Sequence, residues 1–173
     1  AYYFHQTFGC TDSTAINYNP EATSNDGSCY HDVVTDIDGN EYQAVQIGDQ
    51  LWMKENLKLT HYNNGDEILN ISNNEDWQNT TTSAFGDYDN DPSNSWTHGR
   101  LYNWFSVDDE RGLAPKGWHI PTNKEWNELE DYLGDNAGGK LKSNLDWRNP
   151  NEGATNESGF TALPGGYRDT SYG

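Results

Sequence analysis

Large aromatic rings are unusually frequent among the apolar side chains of this sequence. Seven Trp, eleven Tyr and five Phe stand in a chain of 173 residues whose apolar share is only 32%. An ordinary soluble domain has an apolar share of about 45–50%, so aliphatic side chains alone cannot supply a full core here. Because each buried ring removes on the order of 150–250 Å² from water, the rings predict a folded, loop-rich domain with an aromatic core.

The net charge excludes two classes of partner. Twenty-eight acidic side chains against ten basic ones give a formal charge of −18. Such a field repels phosphate backbones and anionic lipid headgroups, so neither nucleic acid nor a membrane surface is an expected partner. No apolar run approaches the ~18 residues that a membrane-spanning helix needs. We therefore expect no membrane insertion.

The two cysteines bound a segment of small polar residues. Cys10 and Cys29 are predicted to form a disulfide, which would stabilise this segment by about 3 kcal/mol in the chain-entropy model and favours an oxidising compartment. A zinc site with His5 and His31 is the alternative, but the spacing lacks the paired clusters that zinc sites use. Residues 1–32 are accordingly assigned to an N-terminal strand and a disulfide-closed module, and residues 33–173 to the main domain.

Local signals in the main domain predict strands first. Val33–Ile37 and Tyr42–Ile47 flank the Asp38-Gly39 pair, and such a pair between alternating apolar runs is a strong hairpin signal. A third strand is expected at Gln50–Leu57. Residues 60–95 are dominated by Asn, Asp, Ser and Thr and are predicted to be a long irregular segment.

Two short helices are predicted after the irregular segment. Leu101, Trp104 and Phe105 have helical spacing within residues 100–107. Thr122 and Glu125 form a capping box, followed by an apolar stripe that starts at Trp126, and Gly134 is placed to end that helix. Short strands, two short helices and long loops indicate an α+β fold.

Five blocks of this sequence stand in the order and spacing of one known domain: Asp36–Asn40, Ile47–Leu57, Gly99–Trp104, Gly117–Thr122 and Leu163–Arg168. Over residues 33–173 the chain resembles the Fibrobacter succinogenes major paralogous domain, found on exported and surface proteins of Bacteroidetes and Fibrobacteres. Relatives usually continue past the last block, so the resemblance implies that the C-terminal part of the domain is missing here. The Trp118–Trp126 segment is also similar to C-type-lectin-like and formylglycine-generating-enzyme-like folds.

The Cys-bounded residues 9–29 separately resemble a module that accompanies surface domains in marine Bacteroidetes. This resemblance implies export, with loss of a signal peptide, and a location outside the cell or at the outer-membrane surface.

Two oxygen-rich sets are candidates for calcium, the expected cofactor if there is one. Asp87, Asp89 and Asp91 have the alternating spacing that lets a loop wrap a hard cation, although Pro92 and the missing twelfth-position Glu exclude an EF-hand. The second set comprises Asp12, Asn17, Asn19 and Asp26. The alternatives are a solvated acidic turn for the first set and Asx turns for the second.

Exposed Trp rings are candidates for stacking on sugars. Trp104, Trp118 and Trp126 lie in patterned blocks and are expected in the core. Trp77 and Trp96 lie in the Asn-rich region, and they are therefore the predicted surface residues that bind a ligand.

The favoured function is a non-enzymatic cell-surface module for adhesion to glycan or protein. One alternative is a structural subunit of a surface filament or outer-membrane assembly, in which copies self-associate by exchange of the aromatic segment Tyr2–Phe8. The other is a polysaccharide hydrolase. Catalysis has little support, because both cysteines are assigned to a bridge and the histidines show no catalytic spacing.

Overall fold

The structure is a computed structural model that describes residues 6–13, 15, 18–26 and 33–169. The predicted α+β fold is confirmed, with helices and small sheets mixed along the chain. The described strands are β1 (Phe8–Gly9), β2 (Ser24–Asn25), β3 (Val33–Thr35), β4 (Glu41–Ile47), β5 (Gln50–Met53), β6 (Leu69–Asn70), β7 (Ala84–Gly86) and β8 (Leu101–Tyr102). The described helices are α1 (Asn74–Asn79), α2 (Pro92–His98), α3 (Trp104–Val107), α4 (Asn123–Leu133) and α5 (Ala137–Leu141), with a 3₁₀ turn at Tyr88–Asn90.

The predicted hairpin and third strand form one antiparallel sheet in the order β3-β4-β5. The buried Asp36 organises the turn, since its Oδ1 accepts from the amides of Asp38 and Asn40, both at 2.9 Å. Gly39 takes the positive φ of 80° that such a turn requires. The third strand ends at Met53, four residues before the predicted end.

Residues 60–95 contain regular elements, which corrects the prediction of an irregular segment. Strand β6 pairs in parallel with β7, which pairs antiparallel with β8. Helices α1 and α2 are capped by the preceding residues Asn73 and Asp91, whose side chains accept hydrogen bonds from the first backbone amides. Side-chain capping therefore starts these short helices in a segment whose polar composition hides them.

The two predicted helices have different outcomes. Helix α4 has the predicted capping box and ends at Gly134, whose φ is 65°. The earlier helix is shorter than predicted, because Leu101 and Tyr102 pair with β7 and Asn103 caps a helix of only four residues. With α1, α2 and α5, the described part of the chain contains more helices than the two predicted.

The core is aromatic, but the rings that build it are only partly the predicted ones. Tyr62 and Phe85 lie in one buried cluster, Trp52 in a second and Trp77 in a third. Trp118 is half-buried. Trp104 and Trp126, expected inside, are 68% and 38% exposed. Other residues of the same helices face the core instead: Ser106 in α3 and Leu129 in α4 are fully buried.

The described part of the N-terminal module forms a small sheet of its own. Strand β1 pairs in parallel with β2 of the same chain. Cys10 is buried, whereas Phe8 is 62% exposed. Cys29 lies outside the described residues, so the disulfide stays a prediction.

Candidate functional site

A cleft of about 480 Å³ opens between β5, the start of α4 and the loop of residues 117–121. Its walls also include Phe160, which comes from the C-terminal segment. The cleft therefore joins parts of the chain that are more than a hundred residues apart. Concave, mostly apolar hollows of this size are the usual form of a small-ligand site.

Three rings form the apolar wall of this cleft. The centroids of Trp52 and Trp126 are 4.7 Å apart, and the planes of the two rings meet at 44°. Phe160 packs edge-on against both, at centroid distances of 5.9 Å from Trp52 and 6.2 Å from Trp126. Trp52 is buried and serves as the base, whereas Trp126 keeps part of its ring open to solvent. The arrangement holds an accessible indole in place by ring contacts below it.

Hydrogen bonds between β5 and α4 fix the two Trp rings relative to each other. The indole N–H of Trp52 donates to Gln50 Oε1 at 3.2 Å. Gln50 Nε2 in turn donates to the backbone carbonyl of Glu125 at 3.0 Å, next to Trp126 in the first turn of α4. Leu129, fully buried one turn further on, packs with Ile47 and Trp52. The helix is thus anchored where Trp126 leaves it.

His119 and Glu125 form a polar pair in the wall of the cleft. His119 Nε2 lies 2.6 Å from Glu125 Oε1. The other carboxylate oxygen accepts from the backbone amide and the hydroxyl of Thr122, both at 2.8 Å. Hydrogen bonds from Thr122, first from its amide, and the nearby His119 lower the pKa of Glu125 to about 2. Glu125 is therefore an ionised side chain whose two oxygens are both engaged, and it positions the His119 ring.

Other polar groups in the cleft walls are open to a ligand. Asp49, Trp118 and Trp126 line the cleft, and within the described part of the chain their side-chain polar atoms make no hydrogen bond. Such a surface offers ring faces for apolar contact and a few donors and acceptors at its edge. It suits a ligand that has both CH faces and hydroxyl groups.

The three carboxylates of the first predicted calcium set have separate positions. Asp87 is buried and accepts hydrogen bonds from Ser95 Oγ and from Arg100 Nε, the latter at 3.3 Å. Asp91 caps α2 by accepting from the amide of Ser93. Asp89 is exposed in a left-handed conformation, at φ 55°. Among the described residues no group of three His, Cys, Asp or Glu is placed to hold a metal ion, and calcium at this loop stays a prediction.

The second predicted calcium set lies only partly within the described residues. Asn19 Oδ1 accepts from the amide of Glu21 at 3.0 Å, which is an Asx turn. Asp12 and Asp26 have interactions of their own. Asn17 lies outside the described residues, so this site also stays a prediction.

The two predicted ligand-binding Trp residues differ in exposure. Trp96 is 75% exposed on α2, as expected. Trp77 is only 6% exposed, packs with Ile71 and Ala84, and has the Arg168 guanidinium 4.6 Å from its ring centroid. Trp77 cannot stack on an external ligand, which corrects the prediction. Trp96 lies outside the cleft described above.

The segment proposed for strand exchange, Tyr2–Phe8, lies partly outside the described residues. Of its described part, Phe8 belongs to β1, which pairs with β2 of its own chain. Self-association stays a prediction.

Sequence reasoning missed the residues of the aromatic cleft. It placed Trp118 and Trp126 in the core, because a helical stripe containing Trp126 is typical of a buried face. The available signal was position: Trp126 lies in the first turn of its helix, directly after the loop that carries Trp118 and His119. A ring at the end of an element reaches the surface more readily than one in its middle.

Comparison with known proteins bears on the main domain alone. No curated protein and no solved structure matches the chain. In the described part of the chain, no helix has the length and apolar character needed to cross a membrane. Residues 45–173 match the family model of the Fibrobacter succinogenes major domain, which is the predicted family. The match starts later than the predicted residue 33, so it contains four of the five blocks, and residues 9–29 also lie outside it. Since the match covers most of the chain, the chain belongs to the Fibrobacter succinogenes major domain family.

Proposed function

We propose that this domain is a non-enzymatic, surface-displayed module that binds glycans, and that the aromatic cleft is its binding site. The observation that carries the proposal is the open indole of Trp126 resting 4.7 Å from the buried Trp52. An indole held rigidly in a cleft loses little conformational entropy when a ligand stacks on it.

Sugar rings match this cleft chemically. The CH faces of a pyranose are apolar and pack on an aromatic ring, while its hydroxyl groups need donors and acceptors around the ring edge. Trp126 and Trp118 supply ring faces and indole N–H donors, and the Asp49 carboxylate supplies an acceptor. These are the contacts by which a small site combines apolar area with orientation.

The state of Glu125 argues against this residue as the acid of a glycosidase. A glycosidase needs one carboxylic acid whose raised pKa keeps it protonated until it donates to the leaving oxygen. The pKa of Glu125 is lowered to about 2, and its oxygens are occupied by Thr122 and His119. Glu125 is thus suited to hold the cleft wall and unsuited to act as a general acid.

Export and display at the cell surface are part of the same proposal. Their support is the predicted Cys10–Cys29 bridge, which favours an oxidising compartment. A non-reducing peptide map of the protein isolated from its native cells tests this part. A linked pair is expected, and free thiols at both positions would contradict it.

The test of glycan binding is affinity electrophoresis through gels containing neutral polysaccharides: hydroxyethylcellulose, arabinoxylan, galactomannan or laminarin. The wild-type protein is expected to be retarded in at least one of them. Trp126→Ala should abolish the retardation, because truncating an aromatic residue at the centre of a site commonly costs more than 2 kcal/mol of binding free energy.

Trp96→Ala is the matched control. It removes the same type of side chain from an exposed position outside the cleft. The Trp96→Ala protein should therefore migrate like the wild type. Retardation that survives Trp126→Ala but disappears in Trp96→Ala would move the site to α2. Retardation in none of the gels would refute the binding of neutral glycans by this cleft.

The same gels run with EDTA or with calcium chloride examine the predicted calcium sites. The cleft described above needs no metal for stacking, so we expect equal retardation in both. Retardation that depends on calcium would show that binding needs the metal, and Asp87, Asp89 and Asp91 would then be the predicted ligands.

A further inference from the structure

The aromatic cleft continues beyond Trp118. A second open groove of about 600 Å³ lies on the other side of the 117–121 loop, with walls that include Val107 and Leu113. Trp118 and Ile120 line both hollows. Because the same side chains border the cleft and the groove, the two hollows adjoin each other at the 117–121 loop.

The second groove also shares a bordering residue with a third hollow. Trp104 lines the second groove and also a hollow of about 700 Å³ beside β6, which Leu69 and Phe105 help to form. The three hollows together therefore make a run, in which Trp126, Trp118 and Trp104 follow one another.

Trp104 is open to solvent, and the start of the helix that carries it is held in place by hydrogen bonds. Its ring is 68% exposed, so the ring contributes little to the core. The preceding residue, Asn103, ties α3 to β7: its Oδ1 accepts from the amide of Ala84 at 3.1 Å, and its Nδ2 donates to the carbonyl of Thr82 at 2.8 Å. Leu69 and Phe105, in the same hollow, are 56% and 45% exposed. Exposed apolar side chains grouped in one hollow are a common feature of interaction sites.

The charges along the run select against anionic ligands. Its acidic side chains are Asp49, Glu55, Glu67, Asp108, Asp109, Glu110 and Glu125. Arg111 is the one Lys or Arg among the described residues that line the three hollows, and it is paired with Asp66 at 3.0 Å and Asp109 at 2.7 Å. A carboxylated or sulfated chain would meet repulsion and find no unpaired cation.

We propose that the three hollows form one track that holds an internal stretch of a neutral polysaccharide chain, with Trp126, Trp118 and Trp104 as successive stacking platforms. This inference rests on the proposed glycan function and adds two properties to it: the ligand is a polymer rather than a terminal sugar, and it is uncharged. A track open along the surface accepts the middle of a chain, whereas a closed pocket takes only an end.

The test measures affinity against chain length. Isothermal titration calorimetry uses the disaccharide and the hexasaccharide of the cello-, xylo- and manno-oligosaccharide series. The hexasaccharide of the preferred series is expected to bind at least about tenfold more tightly than its disaccharide, because loss or gain of one buried aromatic contact typically changes affinity by about this factor.

Substitutions separate the ends of the track. Trp104→Ala should weaken the hexasaccharide about tenfold and leave the disaccharide unchanged, while Trp126→Ala weakens both. Because Trp104 is exposed, its removal should not impair folding, and Trp96→Ala again serves as the control that changes neither affinity.

Each contrary outcome has a distinct meaning. Equal affinities for disaccharide and hexasaccharide, or a Trp104→Ala protein that binds the hexasaccharide like the wild type, would overturn the track and leave the glycan function standing. Tighter binding of hexameric alginate or polygalacturonate would overturn the assignment to neutral chains. Binding of no sugar at all would overturn the glycan function and the track together.

Discussion

At the scale of single residues, two buried tyrosines have opposite hydrogen-bonding states. The Tyr42 hydroxyl donates to Asp36 Oδ2 at 2.6 Å and accepts from the amide of Lys58 at 2.9 Å. The Tyr62 hydroxyl is equally buried but has no partner among the described residues. A buried polar group stabilises a fold only when it is paired, so removal of the two hydroxyls should have different consequences.

We predict that Tyr42→Phe destabilises the protein by about 1–3 kcal/mol, since it leaves the Lys58 amide and one Asp36 oxygen without this partner. Tyr62→Phe is expected to be neutral or to stabilise by up to about 1 kcal/mol, because it removes an unpaired hydroxyl while the ring, with the Arg111 guanidinium 4.2 Å from its centroid, stays in place. Urea unfolding of both variants measures the difference. Equal losses of stability would show that the Tyr62 hydroxyl has a bonding partner in solution.

At the scale of elements, the start of α4 depends on an ionised carboxylate. The pKa of Glu125 is lowered from 4.5 to about 2, mainly by the hydrogen bonds from Thr122. A lowered pKa in the folded state means that this stabilisation is complete above about pH 4.5 and is lost as the pH falls toward 2. The capping box and the orientation of His119 should therefore weaken together in acid.

We predict that Glu125→Gln lowers the melting temperature at pH 6 and that the difference from the wild type shrinks as the pH falls toward 2. Thermal unfolding followed by circular dichroism from pH 6 to pH 2 measures this. Glu130→Gln is the control, since it removes the same charge from an exposed position near the other end of α4. A difference that is constant with pH would mean that the Glu125 carboxylate does not stabilise the helix through its charge.

The elements that could be predicted from sequence are those specified by their own residues. The Asp38-Gly39 turn and the Thr122–Glu125 capping box are local signals, and both elements appear where they were predicted. Helices α1 and α2 were missed, because Asn73 and Asp91 cap them within a segment full of similar side chains. In such a composition, the capping residues cannot be told from their neighbours.

Burial of individual rings was less predictable, because it depends on what packs against each element. Trp77 was expected outside and is inside, since Arg168 covers its ring from a distant part of the chain. Trp126 was expected inside and is partly open, since Leu129 takes the inward position on α4. The aromatic cleft was missed for the same reason: it exists only after β5, α4 and Phe160 have come together.

At the scale of the whole molecule, Arg168 joins the last described stretch of the chain to its middle. Its guanidinium donates to the backbone carbonyls of Ile71 at 2.5 Å and Ser72 at 3.1 Å, and to Asn74 Oδ1 at 2.8 Å. A Cβ added at the buried Gly86 would lie 2.5 Å from Arg168 Nη1. Glycine at position 86 therefore leaves the space that the guanidinium fills.

We predict that Arg168→Met and Gly86→Ala are each destabilising by about 1 kcal/mol, because each disturbs the hydrogen bond from Arg168 to the partly buried Ile71 carbonyl. The double variant should lose less than the sum of the two, because each change breaks the same contact and Arg168→Met makes room for the new methyl group. A double-mutant cycle measured by urea unfolding gives this coupling, for which about 0.5–3 kcal/mol is typical of residues in contact. Additive losses would mean that Gly86 and Arg168 act independently, and that the C-terminal stretch is held to β7 and α1 by other contacts.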